Sequence, residues 1–162
     1  MTTPPPARFL TEDSLAHLAR RLRVLGHDVE LAPRARLDEL LAAAAADGRV
    51  VLTRSTRRPR RWRDVQTVTV SGELAADVRR IDEAFPAAGA PFTRCTACNG
   101  TLAMRSAFEA RGEVPARVLR SPGRLRACTR CARWFWDGSH VSRLRAWLES
   151  ALGRPLPGDP PV

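Results

Sequence analysis

Two cysteine pairs, Cys95-Thr-Ala-Cys98 and Cys128-Thr-Arg-Cys131, stand 29 residues apart, and the chain has no other cysteine. A two-residue spacer turns both thiolates of a pair toward one point. Two such turns supply the four ligands of a tetrahedral structural zinc site, with bonds of about 2.3 Å. Four thiolates close the coordination shell, so the metal is expected to hold structure. A site of this kind contributes about 10–16 kcal/mol of apparent binding energy at neutral pH, comparable to the net stability of a whole domain. The other chemistry open to four cysteines is a pair of disulfides in an exported protein. The opening residues Met1-Thr-Thr-Pro-Pro-Pro6 lack the basic and then apolar pattern of a signal peptide, which favours zinc and a cytoplasmic location.

A chain of 162 residues has room for one ordinary core beside a metal-stapled module. Its longest apolar run, Leu40 to Ala46, falls well short of the ~20 residues that span a bilayer. The formal charge is +10, and all 27 basic residues are arginine. Such a surplus points to phosphate-bearing partners. The exclusive use of arginine, with abundant alanine and proline, also fits a GC-rich coding sequence, so the argument rests on the net charge.

Phe9-Leu10-Thr11 reads as a short strand. Leu15, Leu18, Ala19, Leu22 and Leu25 then repeat at helical spacing until Gly26. Val29 and Leu31 alternate as a second strand; Leu37, Leu40, Leu41 and Ala44 make a second helix ending at Asp47-Gly48. Val50 to Thr53 is a third strand, Val65 to Val70 a fourth, and residues 72–85 a third helix carrying Leu74, Val78, Ile81 and Phe85. Strands separated by single helices predict a parallel sheet wrapped by helices, with functional groups at the carboxyl ends of the strands. Pro86 to Pro91 reads as a linker, and an arginine-rich helix is expected over Val141 to Leu152.

Acidic residues gather near those strand ends: Glu12 and Asp13, Asp38 and Glu39, then Glu73 and Asp77. Carboxylates from separate elements can hold Mg²⁺ or Mn²⁺ for phosphodiester hydrolysis, although acids at helix N-termini also serve as caps. Arg54, Arg57, Arg58, Arg60, Arg61 and Arg63 crowd one segment around Trp62. Their guanidinium forks suit phosphates and the indole suits a base, so nucleic-acid contact is expected there. His140 follows the second knuckle and reads as a hydrogen-bond partner or phosphate contact, and the preceding Trp134-Phe-Trp136 as ribbon core. No Walker loop, nucleophile elbow or dinucleotide fingerprint occurs.

Four ordered motifs carry a resemblance: Phe9-Leu10 with Leu15 to Gly26, Arg49-Val-Val-Leu-Thr-Arg54, Arg94-Cys-Thr-Ala-Cys-Asn-Gly100, and Cys128-x-x-Cys131 running into Trp136-x-Gly-Ser-His140. Over about residues 8–148 the chain resembles the C-terminal ribonuclease domain of the Mut-seven family, a PIN-like nuclease fold followed by a zinc ribbon. The resemblance implies an acidic site that cuts RNA. Glu12 stands where the family has aspartate after the first strand, and Asp38 matches the acid opening the second helix. Ser55 replaces the third acid, a neutral hydroxyl in place of a carboxylate. On the third helix Asp77 falls at a position usually held by glutamine, with Glu73 close by.

The expectation is thus an α/β PIN-like domain at 8–85, and a zinc ribbon with a C-terminal helix at 92–152, between disordered tails at 1–7 and 153–162. Glu12, Asp38 and Asp77 are the candidate catalytic acids. Arg54, Arg57, Arg58 and Arg61 are the candidate nucleic-acid contacts. Cys95, Cys98, Cys128 and Cys131 are the zinc ligands, with Mg²⁺ or Mn²⁺ as the catalytic ion. RNA is the expected partner, cut by a metal-dependent ribonuclease or, with the acidic set incomplete, bound without cutting.

Overall fold

The computed structural model describes residues 5–120 and 123–158. Strands β1 (Arg8–Glu12), β2 (Asp28–Ala32), β3 (Val50–Thr53) and β4 (Thr67–Thr69) form one parallel sheet in the order β2-β1-β3-β4. Helices α1 (Ala16–Val24), α2 (Leu37–Asp47) and α3 (Leu74–Ala84) connect and cover it. The expected α/β architecture, a parallel sheet flanked by helices, is what the chain forms.

Side-chain alternation along the inner strands divides the sheet into two faces. Phe9, Val50 and Leu52 point into the larger core with Leu18 and Leu22 of α1 and Val78 and Ile81 of α3. Leu10 and Val51 point the other way, onto Leu40, Leu41 and Ala44 of α2. Every residue of β3 is buried, as expected of an inner parallel strand covered on both sides. The fourth strand is shorter than its sequence suggests, because Val65 and Val70 fall outside the ladder.

The cysteine region forms a three-stranded antiparallel sheet, β5 (Leu102–Arg105), β6 (Leu125–Cys128) and β7 (Trp134–Trp136). Between β5 and β6 an excursion with the short helix α4 (Ala116–Leu119) builds a small core of Ala110, Val114, Val118 and Leu125. The last helix, α5, spans Ser139–Leu152.

Two expectations about organisation change. The C-terminal helix does not simply cap the ribbon: Leu148 and Leu152 of α5 enter the larger core beside α1 and α3. Phe92, beyond the expected linker, enters it too. The stretch 153–158, read as disordered tail, carries Leu156 into the same core, and the Leu156 amide donates to Glu149 Oε1 at 3.0 Å. Residues 1–4 and 159–162 of the expected tails lie outside the described residues.

The linker itself is pinned. Gly26 ends α1 with φ +94°, and a Cβ there would lie 2.0 Å from the Gly89 carbonyl oxygen. Only glycine permits this crossing of two backbones. The Gly89 amide donates to the Gly26 carbonyl at 3.2 Å, and the Phe92 amide donates to the Val24 carbonyl at 2.7 Å.

Candidate metal centre and nucleic-acid interface

Each cysteine pair folds as a tight turn followed by a left-handed residue, Asn99 at φ +68° and Ala132 at φ +59°. In the first turn the Cys95 amide donates to the Gly100 carbonyl and the Asn99 amide to the Cys95 carbonyl. In the second, the Cys128 amide donates to Arg133 and the Ala132 amide to Cys128. The four sulfurs lie within 4.8 Å of one another. Sγ–Sγ separations are 3.7 Å for Cys95–Cys131 and 3.4 Å for Cys98–Cys128. A tetrahedron with bonds of about 2.3 Å has edges of about 3.8 Å, so the four thiols fit one metal ion such as zinc. Burial pushes the Cys98 thiol up to about 12. Burial would also raise Cys128, but the Cys131 and Arg130 amides donate onto its sulfur and it falls to about 7. Gly100 keeps the centre compact, because a Cβ there would come within 2.8 Å of Cys128 Sγ.

Residues that the sequence reading did not single out weld this centre to the parallel sheet. Asn99 Oδ1 accepts from the amide of Val29 on edge strand β2 at 3.1 Å, and its Nδ2 donates to Asp28 and Glu30 at 2.9 and 3.1 Å. Arg23, fully buried on α1, donates through Nε to the Val29 carbonyl at 2.8 Å. Its Nη1 reaches the Thr96 and Ala97 carbonyls inside the first cysteine turn at 2.9 and 3.1 Å. Arg130 of the second turn donates to Glu30 at 2.8 Å. Burial would raise the Asp28 carboxyl, but Arg49 and Asn99 bond it and hold it below the usual carboxylate range. The signal for this role was slight. Arg23 belongs to the run Arg20-Arg21-Leu22-Arg23, which reads as a solvated helix face, and Asn99 reads as an ordinary turn residue.

The candidate acids all stand at the carboxyl edge of the sheet, yet they do not form one ligand cluster. Among the described residues, the four cysteines make up the one group of three or more metal-ligating side chains whose ligand atoms converge. Glu12 ends β1, and its carboxylate has no hydrogen-bond or ion-pair partner among the described residues. Asp38, on the first turn of α2, accepts from Trp62 Nε1 at 3.2 Å and pairs with Arg61 at 3.1 Å. Asp77, on the first turn of α3, is 2% exposed. It accepts from the Ser71 amide and hydroxyl, the Gly72 amide and Arg80, at 2.9–3.1 Å. Burial would raise its carboxyl, but the Ser71 and Gly72 amides outweigh it and hold the group below its ordinary value. Asp77 is therefore engaged in shaping the loop between β4 and α3. Ser55 also serves its own turn: its amide donates to Thr53 Oγ1, and its hydroxyl accepts from the Arg57 amide.

The arginine segment follows β3 and lies along the same edge. Arg36, Leu37, Asp38, Glu39, Arg57 and Pro59 line a cleft of about 510 Å³ between the start of α2 and this segment. The guanidinium groups of Arg54 and Arg57 have no partner among the described residues. That of Arg54 lies over Gly72, where a Cβ would meet it at 3.8 Å. Arg58 donates to neutral acceptors, Thr69 Oγ1 at 2.6 Å and the Ser55 and Arg57 carbonyls. Arg61 differs, because it is paired with Asp38. Trp62 differs as well: its ring packs beside the α2 core and its Nε1 is bonded to Asp38, so it anchors the segment.

No helix is long and apolar enough to cross a membrane among the described residues. A stretch of the chain is similar to the human protein described as "Exonuclease mut-7 homolog", with 50% identity over 54 residues, covering 29% of this chain and 6% of that protein's length. The shared stretch is thus a small part of that relative. No solved structure matches the chain. Residues 7–148, containing both the parallel sheet and the cysteine centre, match the Mut7-C RNAse domain family, and to that family the chain belongs.

Proposed function

We propose that this protein is a ribonuclease-type protein that engages RNA phosphodiesters at the carboxyl edge of its PIN-like sheet, with its cysteine centre loaded with structural zinc. The observation that carries this reading is the cleft that sets Asp38 beside Arg57, in a chain of an RNase-domain family. Arg54, Arg57 and Arg58 present guanidinium groups with no carboxylate partner among the described residues, so phosphate oxygens can take up their donors in fork geometry. Arg61 releases Asp38 when its own guanidinium turns to a phosphate.

For hydrolysis, a divalent ion such as Mg²⁺ or Mn²⁺ supplies an activated water and stabilises the leaving oxygen. The acids as placed do not form a three-carboxylate centre for it. Glu12, unpartnered among the described residues, and Asp38, held by Trp62 and Arg61, are the side chains that would hold the ion. Asp77 supports the site from behind by fixing the Ser71-Gly72 loop over which Arg54 lies.

The second reading, binding without cleavage, is favoured by two observations: Asp77 is occupied by its loop, and Ser55 brings a neutral hydroxyl where the family has an acid. Cleavage of a labelled RNA by the zinc-loaded protein, with and without Mn²⁺, separates the two. Metal-dependent cutting that Asp38→Asn abolishes is the expected result. Retained binding with no cutting in any divalent ion assigns the protein to the second reading.

A further inference from the structure

A groove of about 380 Å³ opens where the ribbon sheet meets the start of α5, lined among others by Phe92, Leu102, Arg126, Phe135, Trp136 and His140. The geometry points to a second nucleic-acid site here, one that takes an unpaired base of the bound strand between Trp136 and its neighbours. This rests on the reading that the chain binds RNA, and adds a place on the molecule that the acidic edge does not include.

The first support is the exposure of the indole. The ribbon's small core is made by Ala110, Val114, Val118 and Leu125, with Trp134 packed against it. Trp136, at the end of β7, is left out of that core and is 36% exposed. The expectation is all three aromatics in the ribbon core; Trp134 packs against it, whereas Trp136 faces the groove. A large ring held at a concave, half-open position is more useful to a ligand than to the fold.

The second support is charge. No carboxylate is among the groove's lining residues, whereas Arg94 and Arg126 are, each paired with an acid outside the lining, Asp28 at 3.6 Å and Asp137 at 3.1 Å. The surrounding region, residues 92–152, carries eleven arginines against four acids, a surplus of seven positive charges. Aromatic faces beside guanidinium groups in an electropositive setting match a flat base carrying a phosphate, the combination used for sequence-tolerant single-strand binding. A duplex hides its base faces and does not fit. The cavity falls within the range of small-ligand clefts, about 300–1,000 Å³.

The third support is position. The groove borders Val24 and Phe92, at the amino-terminal side of β2, while the Asp38–Arg57 cleft lies at the carboxyl ends of the strands. The two thus lie toward opposite ends of the strands of the parallel sheet. One extended strand is held by its backbone at the first site and by a base at the second.

The test is anisotropy titration of a short unpaired oligoribonucleotide and of its duplex with the zinc-loaded full chain. Trp136→Ala is expected to weaken binding of the unpaired strand about tenfold while leaving duplex affinity unchanged, and Trp136→Phe to restore most of the loss. Zinc content and circular dichroism check that each variant is folded. If Trp136→Ala does not fold, photocrosslinking of a 5-iodouracil-bearing strand to the wild-type protein decides, with Trp136 the expected adduct. Unchanged affinity in folded Trp136→Ala, or crosslinks confined to residues 54–63, overturns the groove and leaves the RNA reading intact. No binding by the wild type at low salt overturns the RNA reading and the groove with it. An acidic peptide that binds the wild type, fails to bind Trp136→Ala and does not compete with RNA overturns the groove in favour of a protein partner.

Discussion

Asp77 shows how a carboxylate that a sequence marks as a candidate catalytic acid can also hold a loop of the fold together. Acids at the first turn of a helix after a strand serve equally as caps and as metal ligands, and spacing alone does not distinguish them. Here the Ser71 and Gly72 amides donate to the carboxylate, which gives it a structural part in the loop. Asp77→Asn is expected to destabilise the protein by about 2–3 kcal/mol near neutral pH, the worth of hydrogen bonds to a buried charge. Because the folded carboxyl lies below its ordinary value, this stabilisation is present above the unfolded pKa of about 3.9 and is lost as pH falls through the folded value. Thermal melts of wild type and variant should therefore differ by a constant amount above about pH 5 and converge in acid; a gap that persists in acid would mean that shape, not charge, carries the effect. Glu12 is the opposite case, an acid on the expected edge that no other side chain engages among the described residues. Its position was legible from the end of the first strand, whereas its lack of partners was not.

At the scale of elements, the strands and helices of the first half were readable because their apolar residues alternate or repeat with clean periods. Phe9, Leu52 and Ile81 fell where the pattern put them. The docking of the ribbon was not readable, since it depends on polar residues making long-range bonds. Asn99 closes the free edge of β2 by accepting from Val29, a contact 70 residues away in sequence. Asn99→Ala should cost about 1–3 kcal/mol by leaving the Val29 amide unsatisfied and removing one donor from Asp28 and Glu30. Asn99→Asp should cost more, because it faces Asp28 and Glu30 with a third carboxylate. Urea unfolding of the three proteins gives the order directly, and equal midpoints for Asn99→Ala and wild type would show that water replaces the contact. Gly26→Ala is expected to be the most damaging small substitution in the linker region, because its methyl would overlap the Gly89 carbonyl. Failure to express in folded form, or a large loss of melting temperature, is the outcome to look for; a wild-type melt would mean that the linker can move aside.

For the whole molecule, the metal centre and the sheet form a connected unit. The chain leaves the sheet through the linker, builds the ribbon against β2, and returns as α5 to finish the core of α1 and α3. Chelation should therefore do more than melt a separate module. Hydrogen exchange is expected to show loss of protection at the β2 edge amides, Val29 first, when zinc is removed at neutral pH, and a loss of protection confined to the ribbon would contradict this coupling. The resulting scaffold separates an arginine-lined carboxyl edge from the four-cysteine centre. On the proposed function, that edge is where RNA would be held. The measurement that tests this most directly is the affinity for unpaired RNA across a salt series, for wild type and for the Arg57→Ala/Arg58→Ala double variant. The account predicts that log affinity falls linearly with log salt and that the double variant weakens binding and flattens the slope by about 1.4, two phosphate contacts at about 0.7 each. The same affinity and slope in both proteins would contradict it, and would place the RNA elsewhere on the surface.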